Sequence, residues 1–363
     1  MNGRHLGAAG IAVLALVFPT TLAGAAPSSE PPGELRSTAE AQRWTPMKAT
    51  ALPPGDAGVK RIALTADGRR AVALQTYSSV SRLVQLNIAK SPARIVGKNA
   101  SVKGDIDSDL EVRRRHAYVT HDDVLQVVSL KSPKPKIQRR VTIGNNDFWD
   151  VALTPNGKYL YATGFNITWP PDRLWVFKVA KNGVPKRIRT IKRFGLGRIE
   201  VTSNGKRLVG IDEIHDRVVT YSLKKPGKPK RLGKAFPTGI DDANNLAVAR
   251  DSRYAYLSGG TTAEVAKVDL RRRRVTKTRR LSTDYGGDIA VTAKGHVVTT
   301  LSNAQDEDTG LVFLNKKLKI VEAFKGLCFA QGVAASWAGP TKGRAYVGDS
   351  GICTRSAFYP LKP

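Results

Sequence analysis

What most constrains this chain is a short hairpin signature that returns seven times. Its clearest copy lies within residues 147–177, where Val151-Ala152-Leu153 leads through Pro155-Asn156-Gly157 into Tyr159 to Thr163 and, after a polar loop, into Leu174 to Val179. Asn-Gly between apolar runs predicts a type I′ hairpin, because both residues tolerate the positive φ that this turn demands. Comparable turns fall at residues 67, about 113, 156, 204, 251, 294 and 342, spaced by about 43 to 48. Strand-like self-similarity at this period predicts propeller blades, since one meander has an apolar face that only its neighbours can cover. The fold class expected is therefore all-β, a seven-bladed β-propeller over residues 44–363. A six-bladed ring is the alternative if the second copy, which lacks the Gly turn, is a loop. The last copy reaches Pro363 after its third strand, so the closing outer strand is expected from Trp44 to Thr50.

The second strands carry a further motif: Tyr118-Val119-Thr120-His121, Tyr161-Ala162-Thr163-Gly164, Tyr256-Leu257-Ser258-Gly259 and Tyr346-Val347-Gly348-Asp349. With the turns before them and strands such as Val265 to Leu270 after them, the copies resemble the YVTN-type repeats of WD40-like bacterial propellers. The resemblance covers about residues 44–363 and implies fold more than activity, because propellers of this look include hydrolases, electron-transfer enzymes and binding scaffolds.

Ahead of the repeats, Arg4 and His5 precede an apolar stretch ending near Phe18 and the small residues Ala23-Gly24-Ala25. This reads as a signal peptide over residues 1–25, too short to span a bilayer, so a secreted protein with no transmembrane segment after processing is expected. Residues 26–43, rich in Pro, Ser, Glu and Ala, read as a flexible leader. In an oxidising compartment the two cysteines, Cys328 and Cys353, are expected to form one disulfide, contributing about 3 kcal/mol by closing the loop. The formal charge of +29 falls to +28 with the loss of Arg4. Such an excess favours anionic partners without naming one.

Sorting loops by the face they occupy in a propeller divides the charge. Loops between second and third strands, and between blades, receive most of the acid, including Asp105, Asp107, Asp122, Asp123, Asp212, Glu213, Asp241, Asp242, Asp284 and residues 306–308. The opposite face and the outer strands receive the basic runs at 131–140, 181–189, 224–231, 271–280 and 315–319. A dipolar disc follows, whose basic part suits an anionic polymer such as a teichoic acid, an acidic polysaccharide or extracellular nucleic acid, or a cell-envelope surface. Few aromatics interleave with the basic runs, which argues against stacked recognition of single strands.

Aligning the first strands places one residue per copy just ahead of each inner apolar run: Arg61, Asp107 (free by one or two positions), Asp150, Arg198, Asn245, Asp288 and Gly332. At the channel mouth this ring, with Trp149 beside it, is the expected site for a small-molecule or protein ligand. Asp150, Asn245 and Asp288 offer the hard oxygens that suit Ca²⁺, and the alternative is a network in which the two arginines neutralise the acids. Propeller lactonases place acid, amide and basic groups in this location, so a lactonase-like hydrolase is the alternative function, although no catalytic set matches residue by residue. The remaining histidines show no zinc spacing. The reading is a monomeric binding protein.

Overall fold

The computed structural model describes residues 36–37, 44–53, 58–77, 80–104, 108–144, 146–165, 173–192, 194–281, 285–302, 309–327, 330–349 and 356–363. These form seven small antiparallel sheets arranged as the blades of one propeller. The innermost strands, in chain order, are Gly58–Leu64, Leu110–Arg113, Asp147–Leu153, Ile199–Val201, Ala243–Val248, Tyr285–Val291 and Val333–Ala335. We number the blades 1 to 7 in that order. The second copy is a complete blade: His116–His121 pairs with both Leu110–Arg113 and Val124–Ser129, and Lys136–Thr142 lies outside.

Each blade has two apolar faces because its side chains alternate along every strand. Leu160 and Ala162 pack toward blade 2 in one cluster while Tyr161, between them, packs toward blade 4 in another. The result is seven clusters, one at each blade-to-blade interface. Double coverage explains why middle strands such as Arg173–Val179 read as continuous apolar runs, with Leu174, Trp175, Val176 and Phe177 buried. It also gives the motif tyrosines a role. The Tyr118 hydroxyl donates to the carbonyl of Gly183, and that of Tyr161 to Pro226, each at 2.9 Å in the next blade.

The recurrent turn differs from the expected type I′. In blade 3 Gly157 N donates to the Thr154 carbonyl at 2.7 Å, and only Gly157 (φ 66°) takes the left-handed conformation. Asn156 keeps negative φ because its side chain is occupied: its Oδ1 accepts from the Thr154 hydroxyl at 2.8 Å and from Lys158 N at 2.9 Å. Thr65 with Asp67 and Thr202 with Asn204 repeat the arrangement. The signature is thus Thr-x-Asx-Gly, in which two side chains satisfy the backbone of a turn ending in one left-handed residue. Blade 2 has no such residues and turns instead through Arg114 at φ 55°.

The ring closes where the sequence expects. Thr45–Pro46 and Thr50–Ala51 both pair with Ala357–Lys362, completing blade 7 from the other end of the chain. Trp44 is 1% exposed and stacks on Phe313 of blade 6 at 4.1 Å. On the other side of blade 7, Gly68 of blade 1 approaches so closely that a Cβ there would lie 2.0 Å from the Ala338 carbonyl oxygen. Arg36–Ser37, inside the stretch expected as a leader, adds an edge strand to Ile320–Leu327 of blade 6. Residues 1–35, and with them the expected signal peptide, lie outside the described residues, as do Cys328 and Cys353. No helix among the described residues is long and apolar enough to cross a membrane.

Candidate functional site

The first strands put Arg61, Asp150, Arg198, Asn245, Asp288 and Gly332 at equivalent positions around the channel. Asp107 lies outside the described residues, and Asp109 fills the ring position of blade 2. The sequence leaves this position free by one or two residues because the turn of blade 2 has no Gly, and Arg114 at φ 55° stands there instead. Arg61 Nε donates to Asp109 Oδ1 at 3.1 Å, and its NH1 reaches Asp288 Oδ2 at 3.8 Å, on blade 6. Blade 7 lies between, and its ring residue is Gly332, which places no side chain in the way. Arg198 pairs with Asp150 at 3.6 Å.

Each ring acid also grips the next blade. Asp109 accepts from Val151 N at 3.2 Å, Asp150 from Ile199 N at 2.5 Å, and Asp288 from Val333 N at 3.0 Å. Asn245 donates to the Gly287 carbonyl at 3.2 Å. The ring is a set of interblade staples. The three groups expected to hold Ca²⁺ are each committed to a neighbouring backbone, and among the described residues no three His, Cys, Asp or Glu side chains gather as a metal site.

Asp109 and Asp150 lie close together in the buried channel wall, where two like charges disfavour one another, so a proton shared between them relieves the repulsion. Burial, reinforced by the charge of Asp109, raises Asp150 well above the usual carboxylate range, so Asp150 donates. Burial opposes ionisation of Asp109 too, but the Arg61 guanidinium and the bond from Asp150 prevail and hold Asp109 below that range. This pair can store a proton and stiffen the channel wall.

At the ring end of the channel, Trp149 is partly exposed. Its Nε1 donates to Glu213 Oε1 at 3.3 Å, and Arg198 lies over its ring at 5.4 Å. Of the aromatics near it, Phe165 is 6.3 Å away, whereas Phe148 turns inward against Trp175 and belongs to the core. Trp169 lies outside the described residues.

Two acids were not among the expected site residues. Two positions after the ring, the first strands carry Ala63, Glu111, Ala152, Glu200, Ala247, Ala290 and Ala334. The exceptions in this alanine column face a cavity of about 590 Å³ at the hairpin-turn end of the channel. Glu200 Oε2 accepts from Val248 N at 2.6 Å, and Glu111 accepts from Leu153 N. Burial pushes both up to about 8, aided at Glu111 by Asp109 and at Glu200 by Glu111 and Asp288. The signal was present in the sequence as two carboxylates in a column otherwise of alanine.

The outer strands carry the third feature. Lys136, Arg139 and Arg140 of blade 2, Lys186, Arg187, Arg189 and Lys192 of blade 3, Lys230 and Arg231 of blade 4, and Arg274, Lys277, Arg279 and Arg280 of blade 5 are exposed. No Asp or Glu occurs in these four strands. Among the described residues none of these cations forms an ion pair. Between blades 2 and 3 the arc folds into a groove of about 650 Å³ lined by Arg139, Arg140, Lys186 and Arg187. A second recess, of about 470 Å³ between blades 1 and 2, includes Arg70, Arg114, Arg115 and Lys131. No protein-family model matches this chain, and no curated protein matches it. The fold stands on the seven sheets themselves, and a propeller fits a binding role in general.

Proposed function

We propose that this chain is an exported propeller of the YVTN-like type that binds anionic polymers of the cell envelope or its surroundings through the outer strands of blades 2 to 5. The observation that carries this reading is the unbroken basic arc with no acid along it. Protecting a sheet edge from aggregation calls for a charge or two per strand. Four consecutive outer strands without a single carboxylate go beyond that need, and the groove between blades 2 and 3, where Arg139, Arg140, Lys186 and Arg187 converge, gives a polymer a place to seat. Export is supported by the basic, apolar and small-residue segments over residues 1–25.

No aromatic residue lies in these strands, except Phe236 in the short second segment of blade 4, and that ring is buried. Recognition is therefore of backbone charge, not of bases. Titrating the protein with polyphosphate and with poly(dT) across a salt series tests this. Equal affinity for the two at matched charge, falling linearly on a log–log plot by roughly 0.7 per contacted phosphate, is the expected result. Salt-independent retention, or a preference for poly(dT) alone, would refute it.

A further inference from the structure

We infer that the hairpin-turn end of the channel is a second, separate binding site, for a small zwitterion of the amino-acid kind. The ammonium end sits between Glu111 and Glu200, and the carboxylate lies outward at Arg113 and Arg250. The cavity is built from blades 1 to 5 and 7, with apolar walls of Leu64, Val112, Leu153 and Val201. Its volume, about 590 Å³, lies in the range of small-molecule sites.

Charge within it is layered. Glu111 and Glu200 occupy the inner level, and among the described residues neither forms an ion pair, in a chain holding 59 Lys and Arg. Arg113 follows Glu111 by two residues on the same strand, a rise of roughly 6.6 Å, which places it nearer the opening. Its Nε is buried and has no hydrogen-bond partner, so a donor stands ready for an acceptor. Arg250 NH1 is held at 3.0 Å by the carbonyl of Trp337, and the Trp337 indole donates to the Val291 carbonyl, which fixes that ring as one wall of the opening. Inner acids, outer guanidiniums and an apolar wall between them match a ligand with an ammonium group, a short apolar body and a carboxylate. A lone cation would meet the outer arginines, and a lone anion the inner acids. Because burial holds both glutamates up to about 8, seating an ammonium drives protons off them. The other charges facing this level are Asp109 and Asp288, which raise Glu111 and Glu200 respectively, and Arg113.

Calorimetric titration of the full chain with glycine, 4-aminobutyrate and 6-aminohexanoate, set against hexylamine and hexanoate, tests the assignment. At least one amino acid is expected to bind at least roughly tenfold tighter than both single-charge analogues. Its heat at pH 7 is expected to differ between two buffers of unlike ionisation enthalpy by the amount for proton release. Glu200→Gln, which keeps an oxygen for Val248 N, and Arg113→Gln, at the outer level, should each weaken binding by roughly tenfold, Glu200→Gln without lowering the melting temperature. The inference is overturned if no amino acid binds at up to roughly 10 mM, if hexylamine or hexanoate binds as tightly, or if both variants bind like the wild type.

Discussion

Replacing Trp44 by Ala tests how the ring is held shut. The indole is 1% exposed, stacked on Phe313 at 4.1 Å and set edge-on to His296 at 5.7 Å, in the cluster that joins blade 6 to blade 7. A buried Trp removes roughly 200 Å² from water, which at about 25 cal/mol per Å² is worth about 5 kcal/mol. That figure is an upper bound because an unfolded chain already hides part of this surface. Large-to-small replacement of a buried Trp costs about 3–5 kcal/mol, which brackets the expectation. The backbone bond from Trp44 N to Glu322 survives the change, so the loss reports the side chain alone. Urea unfolding followed by far-UV circular dichroism should show this loss, while Trp44→Phe, keeping an aromatic on Phe313, should lose only roughly 1–2 kcal/mol. If Trp44→Ala costs less than about 1 kcal/mol, the closing strand does not hold the seam.

Other perturbations follow from the same geometry. Gly68→Ala should cost at least about 1–3 kcal/mol in the same assay, because φ is 64° and the new Cβ meets the Ala338 carbonyl. Asp109→Ala leaves Arg61 with Asp288 alone at 3.8 Å and frees Val151 N, so a loss of about 1–3 kcal/mol is expected, and a smaller one for Asp109→Asn. Glu111 and Glu200 are raised to about 8 in the folded state, so the stability they contribute is complete below about pH 4.5 and is lost as pH rises through 8. Unfolding from pH 4.5 to 9 should therefore show a decline in the wild type that the Glu111→Gln/Glu200→Gln variant flattens; parallel curves would mean the two groups titrate normally.

The blade count and the closing strand were legible because both follow from periodicity. A turn recurring every 43 to 48 residues or so marks the end of most first strands, and the outer strand of blade 7 is supplied by Thr45–Pro46 and Thr50–Ala51 as expected. The turn's conformation was not legible from Asn156-Gly157 alone, since Thr154 changes which residue must take positive φ. Register in blade 2 was open by one or two positions, and there the ring residue is Asp109, within that range. The ring's composition was readable but its use was not. A carboxylate in an inner strand serves as well for a ligand as for a staple, and the choice depends on the stagger between blades, which brings Ile199 N under Asp150 and Val333 N under Asp288. Glu111 and Glu200 are legible only as exceptions in a column otherwise of alanine, whereas the ring column declares itself by repeated charge.

The claim that an anionic polymer is gripped by a localised arc, and not attracted by bulk charge, is tested most directly by two fourfold variants of equal net charge. One reverses Arg139, Arg140, Lys186 and Arg187 to Glu in the groove between blades 2 and 3; the other reverses Arg69, Lys158, Lys206 and Lys294, which are exposed at the hairpin turns. Polyphosphate affinity across a salt series should fall by roughly two orders of magnitude in the groove variant, with the log–log slope reduced by about 3, and change little in the turn variant. Equal losses in both would contradict the account.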